Sequence, residues 1–214
     1  MRLYTYFHSS AAYRVRIALN LKGLRYSAVP VHLLRDGGEH LSVEFARLNP
    51  ARLVPVLEDG GATLTQSIAI IEYLEETHPQ PPLLPACAAA RARVRSLALD
   101  VACDIHPLNN LRVRRYLSSA LGLGDAQREE WIRHWIAVGF EAIERSLAAD
   151  VQTGSFCHGE SPTLADCCLV PQIANAQRAK LPLDPYPTLR RINENCQRLR
   201  AFTDAAPAAQ PDAE

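Results

Sequence analysis

The pattern of apolar and polar positions changes character once along the chain. Residues 2–7, "RLYTYF", alternate and are aromatic, which predicts a strand. From Ala12 to Lys22 apolar residues dominate, with Arg16 and Asn20 four apart as a polar edge. That predicts a helix packed over much of its circumference, and Gly23 sits where the residue after a helix C-cap belongs. "YSAVPVHL" reads as a second strand, and two strands separated by one helix make a βαβ unit. After the polar loop "RDGGEH", a short helical piece leads into "LNPARLVPVLEDGG". There "VPVLE" and "GATLT" flank a Gly-containing turn and predict a hairpin. Ser67 opens a helix with Ile68, Ile71 and Leu74 at helical spacing and Glu72, Glu75 and Glu76 on another side.

"THPQPPLLPAC" is a Pro-rich linker, since its prolines forbid regular helix and favour an extended path. Beyond it the strand signals vanish, and residues 88–120, 126–149, 164–180 and 188–204 read as helices. Thr163 and Asp166 have capping-box spacing at the start of one of them, with Asp in place of the commoner Glu. The expected organisation is an α/β domain over residues 1–79, a linker over 80–87, an all-α domain over 88–204 and a loose tail over 205–214, poor in bulky apolar residues.

Composition narrows the partners. Lys+Arg and Asp+Glu each total 23, so the formal net charge is zero, without the basic excess of a nucleic-acid binder. The arginines of "RARVRS" and "LRVRRYL" read as solvated helix faces. Six scattered cysteines form no CxxC, and adjacent Cys167 and Cys168 lie in an apolar run as small core residues. This points to a reducing compartment and no metal. With no signal-peptide pattern and no apolar stretch near the ~20 residues of a spanning helix, the expectation is a cytoplasmic protein away from membranes.

Several residues could carry chemistry, each beside an ordinary structural role. Ser9 and Ser10 precede a helix, where a hydroxyl caps unpaired N–H groups. The same geometry favours an anion, because the helix dipole places about half a positive charge there. Gln66–Ser67 repeats the pattern, so the first domain has two anion-friendly helix starts. Val54–Pro55 enters a strand; a cis bond there would aim the backbone of Val54 outward, where an extended peptide could pair with it. His106 and Asn110 are four apart and would share a helix face, with Arg112 nearby and Pro107 kinking or interrupting the helix. Arg178 reads as a surface residue near a helix end, with a fork suited to a carboxylate. No nucleophile elbow, phosphate loop or dinucleotide fingerprint is present.

The blocks "SSAAYRVRIALNLKG", "DGGEH", "LNPARLVPVLEDG", "TQSIAIIEYLEETHP", "IHPLNNLRV", "TLADCCLVPQIANAQR" and "DPYPTLRRIN" resemble, in order and over residues 3–202, the zeta class of glutathione transferases. The resemblance implies a thioredoxin-like N-terminal domain (βαβ-ββα), an all-helical C-terminal domain, glutathione as cofactor and a homodimer. It also implies maleylacetoacetate isomerase activity in tyrosine and phenylalanine breakdown, with a small dicarboxylate keto acid as substrate. Carried over by position, Ser9 would bond the glutathione sulfur, with Ser10 and Ala11 beside it. Val54 would pair with the cysteinyl backbone, Gln66 and Ser67 would receive the γ-glutamyl end, and His40 would help at the glycyl end. His106, Asn110, Leu111 and Arg112 match the stretch that closes the site, and Arg178 the arginine assigned to a substrate carboxylate.

The family pattern R-S-S-C here reads His8-Ser9-Ser10-Ala11, so a cysteine and a fixed positive charge are replaced. His8 restores the charge only when protonated, and an ordinary imidazole has a pKa of ~6.5. The expected chemistry is thiolate addition to an activated cis double bond, rotation and elimination, with one substrate carboxylate on Arg178 and the other steered by His8 or Arg112. Alternatives are maleylpyruvate isomerisation, glutathione transfer to small α-halo acids, and a non-catalytic thioredoxin-like interaction module.

Overall fold

The computed structural model describes residues 1–214, which divide into two compact units. The first takes Met1–Leu83 together with Gln197–Glu214, and the second takes Leu84–Cys196. No helix is long and apolar enough to cross a membrane.

The first unit is a four-stranded mixed sheet with helices, in the order β1 (Arg2–Thr5), α1 (Ser10–Leu21), β2 (Ser27–Pro30), α2 (Val43–Leu48), β3 (Val56–Asp59), β4 (Ala62–Thr65) and α3 (Ser67–Thr77). In space the strands run β2-β1-β3-β4; β1 and β2 are parallel, and the other two pairs antiparallel. The βαβ unit and hairpin form as their sequence signals predict, and together they make the thioredoxin-like arrangement that the resemblance implies. Short β-rich runs pair across the sheet, with Leu3 opposite Ala28 on one side and Leu57 on the other. Phe7, Phe45, Val54 and Val56 share one apolar cluster with Tyr6 and Val31. Gly23 takes φ +65° directly after the Lys22 C-cap, the left-handed position that a residue without Cβ fills cheaply.

Three sequence expectations fail in this unit. Arg16 is no polar edge: it is 0% exposed, and its guanidinium donates to Thr5 Oγ1 (2.9 Å), Tyr6 O (3.3 Å), Phe7 O (3.2 Å) and Ala205 O (2.9 Å). Asn20 Nδ2 donates to Ala201 O, and Tyr13 Oη to Phe202 O. The C-terminal residues are therefore not a loose tail but a cover over α1. There α9 (Arg200–Thr203) packs, Gln210 folds back onto Asp204 O and Ala206 O, and Asp212 Oδ2 accepts the Phe7 N–H at 3.0 Å. Glu75 likewise faces inward, accepting from Lys22 Nζ (2.7 Å) and Leu83 N (2.9 Å). Periodicity cannot reveal a partner almost 200 residues away in the chain. Burial pulls the Arg16 guanidinium down to about 10, so it stays charged at neutral pH, helped by the Tyr26, Tyr13 and Asp212 side chains around it.

The second unit is helical: α4 (Ala88–Leu99), α5 (Leu111–Ser119), α6 (Asp125–Ala149), α7 (Leu164–Arg178) and α8 (Pro187–Gln197), the last of which ends at the boundary. Val94, Ile105, Ile136, Phe140, Cys167, Cys168 and Ile173 are each at most 1% exposed. The capping box forms as the sequence predicts, Asp166 Oδ2 accepting the Thr163 N–H (2.7 Å) and hydroxyl (2.9 Å) while Oδ1 takes the Cys157 N–H. The single helix expected over 88–120 does not form. After α4 the chain runs through a π-turn (Asp100–Ile105) and a 3₁₀ turn (His106–Asn109) before α5 begins. Pro107 lacks an N–H and cannot continue the ladder, and Asn110 caps a new helix with Oδ1 on the Val113 N–H at 3.1 Å. α6 approaches the π-turn so closely that a Cβ on Gly139 would overlap the Ile105 side chain. Arg93, expected on a solvated face, instead reaches Asp150 (2.5 Å), Cys157 O (2.8 Å) and Thr153 Oγ1 (2.9 Å).

Candidate functional site

In the first unit, three chain ends that sequence reasoning singled out are built as open hydrogen-bonding positions. Ser9 is the N-cap of α1: its Oγ accepts the Ala12 N–H at 3.2 Å, and its hydroxyl hydrogen remains to donate. The N–H groups of Ser10 and Ala11 take part in none of the chain's turn, loop or cap hydrogen bonds, as expected for the first turn of a helix. Ser9 is half-buried and Ser10 buried, so Ser9 is the hydroxyl offered to a ligand. Val54–Pro55 is cis, and Val54, one residue before the start of β3's approach, uses neither its N–H nor its C=O in a turn, loop or cap bond. Gln66 precedes α3 with φ +69°, a sparsely populated region for a non-glycine residue and one enriched at ligand clamps. Its side chain is exposed, whereas Ser67 is buried, with Oγ accepting from Arg14 Nη1 at 3.2 Å. His40 is buried, and its ring lies so close to Gly38 (φ +117°) that a Cβ there would strike it.

This donor set suits a peptide-like thiol: N–H groups and a hydroxyl at a helix start for the sulfur, a free backbone edge at Val54, and a second helix start for a carboxylate. Three of the protein's own cysteines are closed to the role. Burial pushes the thiols of Cys157, Cys167 and Cys196 up, which keeps them protonated, and position 11 is alanine.

His8 is exposed and stacks at a tilt on Phe7, 4.0 Å between ring centroids, with the Tyr6 ring edge-on at 6.1 Å. It lines a cavity of about 590 Å³ whose other walls include Tyr6, Phe7, His32, Arg35 and Glu214.

In the second unit, His106 and Asn110 do not share a helix face. His106 opens the 3₁₀ turn, and Asn110 caps α5, whose first residues are Leu111 and exposed Arg112. Arg178 is the last residue of α7 and exposed. Its Nη2 donates to Asn175 Oδ1 (2.9 Å), and Asn175 Nδ2 in turn donates to Asn109 Oδ1 (2.9 Å). Both asparagines are buried, so a polar chain runs from the arginine on α7 to the turn before Asn110. Sequence reasoning missed Asn175, Asn109, Arg14, Arg16 and Asp212. The one usable signal was "RVR" inside a run apolar on every side, because a helix buried all round cannot leave both arginines in water.

Residues 3–82 match the family described as Glutathione S-transferase, N-terminal domain. A probable maleylacetoacetate isomerase of Vibrio cholerae is 53% identical, over 99% of this chain and 97% of that protein. The holo structure of a maleyl pyruvate isomerase, described as a bacterial glutathione-S-transferase of the zeta class, superimposes with a TM-score of 0.97 at 50% identity, covering 100% of both chains. A maleylacetoacetate isomerase from Methylobacterium extorquens AM1, solved with malonate and glutathione bound, gives 0.96 at 42% identity, again covering 100% of both.

Proposed function

The chain belongs to the glutathione S-transferase family, zeta class, and on that premise we propose that it is a glutathione-dependent cis–trans isomerase of maleyl keto acids, with maleylacetoacetate as substrate. The observation that carries the reading is Ser9, which caps α1 through its oxygen while keeping a hydroxyl hydrogen to give. Glutathione, when bound, supplies a thiol that adds reversibly to the activated cis double bond and so allows it to rotate.

The protein's own groups then have defined tasks. Ser9 donates to the sulfur, and the first turn of α1, with Ser10 and Ala11, adds the positive end of the helix. A free thiol has a pKa of about 8.5, and such a position lowers it by one to several units. Val54 pairs with the tripeptide backbone, Gln66 and Ser67 hold the γ-glutamyl end, and His40 serves the glycyl end. His106, Asn110, Leu111 and Arg112 complete the cofactor's contacts. Arg178 holds one substrate carboxylate as a fork, with His8 or Arg112 steering the other, and charge that develops in the addition meets donors already in place. The same chemistry on the shorter keto acid, maleylpyruvate, is the second reading, favoured by the 0.97 TM-score to a maleyl pyruvate isomerase.

The protein works as a homodimer in the cytoplasm, a reading supported by six cysteines that form no disulfide and by the class resemblance. The deciding experiment follows isomerisation of maleylacetoacetate and maleylpyruvate in parallel, with and without glutathione. Turnover that needs glutathione and falls in Ser9→Ala and Arg178→Ala supports the reading. Absence of turnover on both acids, with glutathione bound, overturns it.

A further inference from the structure

The cavity beside His8 contains a donor with nothing to donate to. His32 is 9% exposed, and its Nδ1 accepts two backbone N–H groups, from Leu34 (3.2 Å) and Arg35 (2.7 Å). With Nδ1 acting as acceptor, the hydrogen of the neutral ring sits on Nε2. That nitrogen is buried and makes no hydrogen bond, and His32 is one of the residues that line the cavity. Its nearest acidic oxygen is Glu214 Oε1 at 3.5 Å, longer than a good N–H···O bond. The same oxygen takes Arg35 Nη2 at 2.6 Å. A guanidinium and an imidazole N–H thus converge on one carboxylate oxygen, which belongs to the last residue of the chain.

The occupant is weakly held. The Arg35 and Glu214 side chains are each 58% exposed, and ion pairs so open to water contribute little. The room behind them, about 590 Å³, falls within the range of small-molecule sites. His8 on its wall adds a third group able to carry positive charge.

We propose that Arg35 and His32 form a carboxylate-binding site at the mouth of this cavity, that it takes one end of a small dicarboxylate, and that Glu214 is an intramolecular occupant which the ligand displaces. The planar fork of Arg35 and the fixed Nε2–H suit a carboxylate better than a neutral acceptor. Sequence pattern could not show it, since His32, Arg35 and Glu214 meet only because the C-terminal residues cover the first unit. The site lies within that unit and shares His8 with the isomerase reading, whose keto acids belong to its ligand class, while its carboxylate contacts, Arg35 and His32, have no part in that reading.

The test titrates the full-length protein with succinate while imidazole nitrogens are followed by ¹H–¹⁵N correlation spectra, the His32 signals being assigned by their loss in His32→Asn. Succinate is expected to shift His32 Nε2 saturably. Glu214→Gln, which alters only exposed atoms, should lower the half-saturating concentration by roughly two- to fivefold, the range an exposed ion pair spans. Arg35→Ala should raise it by about fivefold or more. His32 signals that ignore succinate, or a half-saturation unchanged in Glu214→Gln, would overturn the proposal. Because the titration needs no turnover, a protein that binds succinate here yet isomerises neither keto acid would sink the isomerase reading alone.

Discussion

Replacing Arg16 by methionine keeps an apolar stem of similar reach and removes the guanidinium that ties α1 to the β1–α1 loop and to the C-terminal cover. Two backbone carbonyls, of Phe7 and Ala205, lose their donor in a fully buried site, while Tyr6 O keeps the Ser9 N–H. Each unsatisfied buried group costs about 1–3 kcal/mol, so the two together cost ~2–6 kcal/mol. Against this, methionine no longer requires a charge to be taken out of water, a penalty of several kcal/mol per ion even after relaxation. The balance expected for breaking such a buried cluster from one side is about 3–5 kcal/mol. That is a large share of the ~5–15 kcal/mol by which a domain is stable. Urea unfolding of Arg16→Met, followed by far-UV circular dichroism, should show the corresponding fall in midpoint. The two tryptophans, Trp131 and Trp135, both lie in α6 of the second unit, so their fluorescence supplies a separate signal from that unit. Glutathione affinity should fall too, since the loop held by Arg16 leads directly into Ser9. A destabilisation under ~1 kcal/mol, with glutathione affinity unchanged, would refute the reasoning: the cover would then be dispensable and the carbonyls satisfied by water.

Two further predictions concern the second unit. Asn175→Ala removes the acceptor that holds Arg178 and should lower kcat/KM for the keto acid by about tenfold, the usual size of a charged hydrogen bond, while the glutathione KM stays as it was; an equal loss in an Arg178→Ala background would show that Asn175 does not act through the arginine. The Asp150 carboxyl is held below its ordinary 3.8 by the Gln152 N–H and by Arg93, so the stability it adds is present above that value and is lost as pH falls through its folded-state pKa. The stability gap between wild type and Asp150→Asn, measured by urea midpoint, should therefore narrow on going from pH 7 to pH 3, and a constant gap would contradict it.

Local rules recovered most of the fold because most of its signals are local. Thr163 and Asp166 are three residues apart, and the loop "DGGEH" carries its own geometry in Gly38 and His40. The helix starts at Ser9 and Ser67 were legible for the same reason, since a cap is decided within one turn. What escaped was set at long range. Arg16 reads as solvent-facing unless residues 201–205 are known to lie over it, and Asp212 reads as tail unless the Phe7 N–H is seen to need an acceptor. Pro107 signals a kink or an interruption, and the choice between a bent helix and one that stops and restarts rests on whether Asn110 turns its side chain back onto Val113. Asn175 and Asn109 meet across 66 residues, and polar side chains of that kind carry no periodic signature.

Residues from Gln197 onward close the first unit, and this fixes an order in time. On the ribosome, β1 to α3 emerge first, followed by the whole of the second unit, and only then the segment from Gln197 to Glu214. Until Ala205 appears, Arg16 lacks one of its carbonyls, and until Asp212 appears, the Phe7 amide ahead of Ser9 has no acceptor. A nascent or prematurely ended chain therefore carries every strand of the sheet and every residue of the Ser9 helix start, yet lacks the cover that seats them. The loop leading into Ser9 gains these hydrogen bonds only after Ala205 and Asp212 have been made.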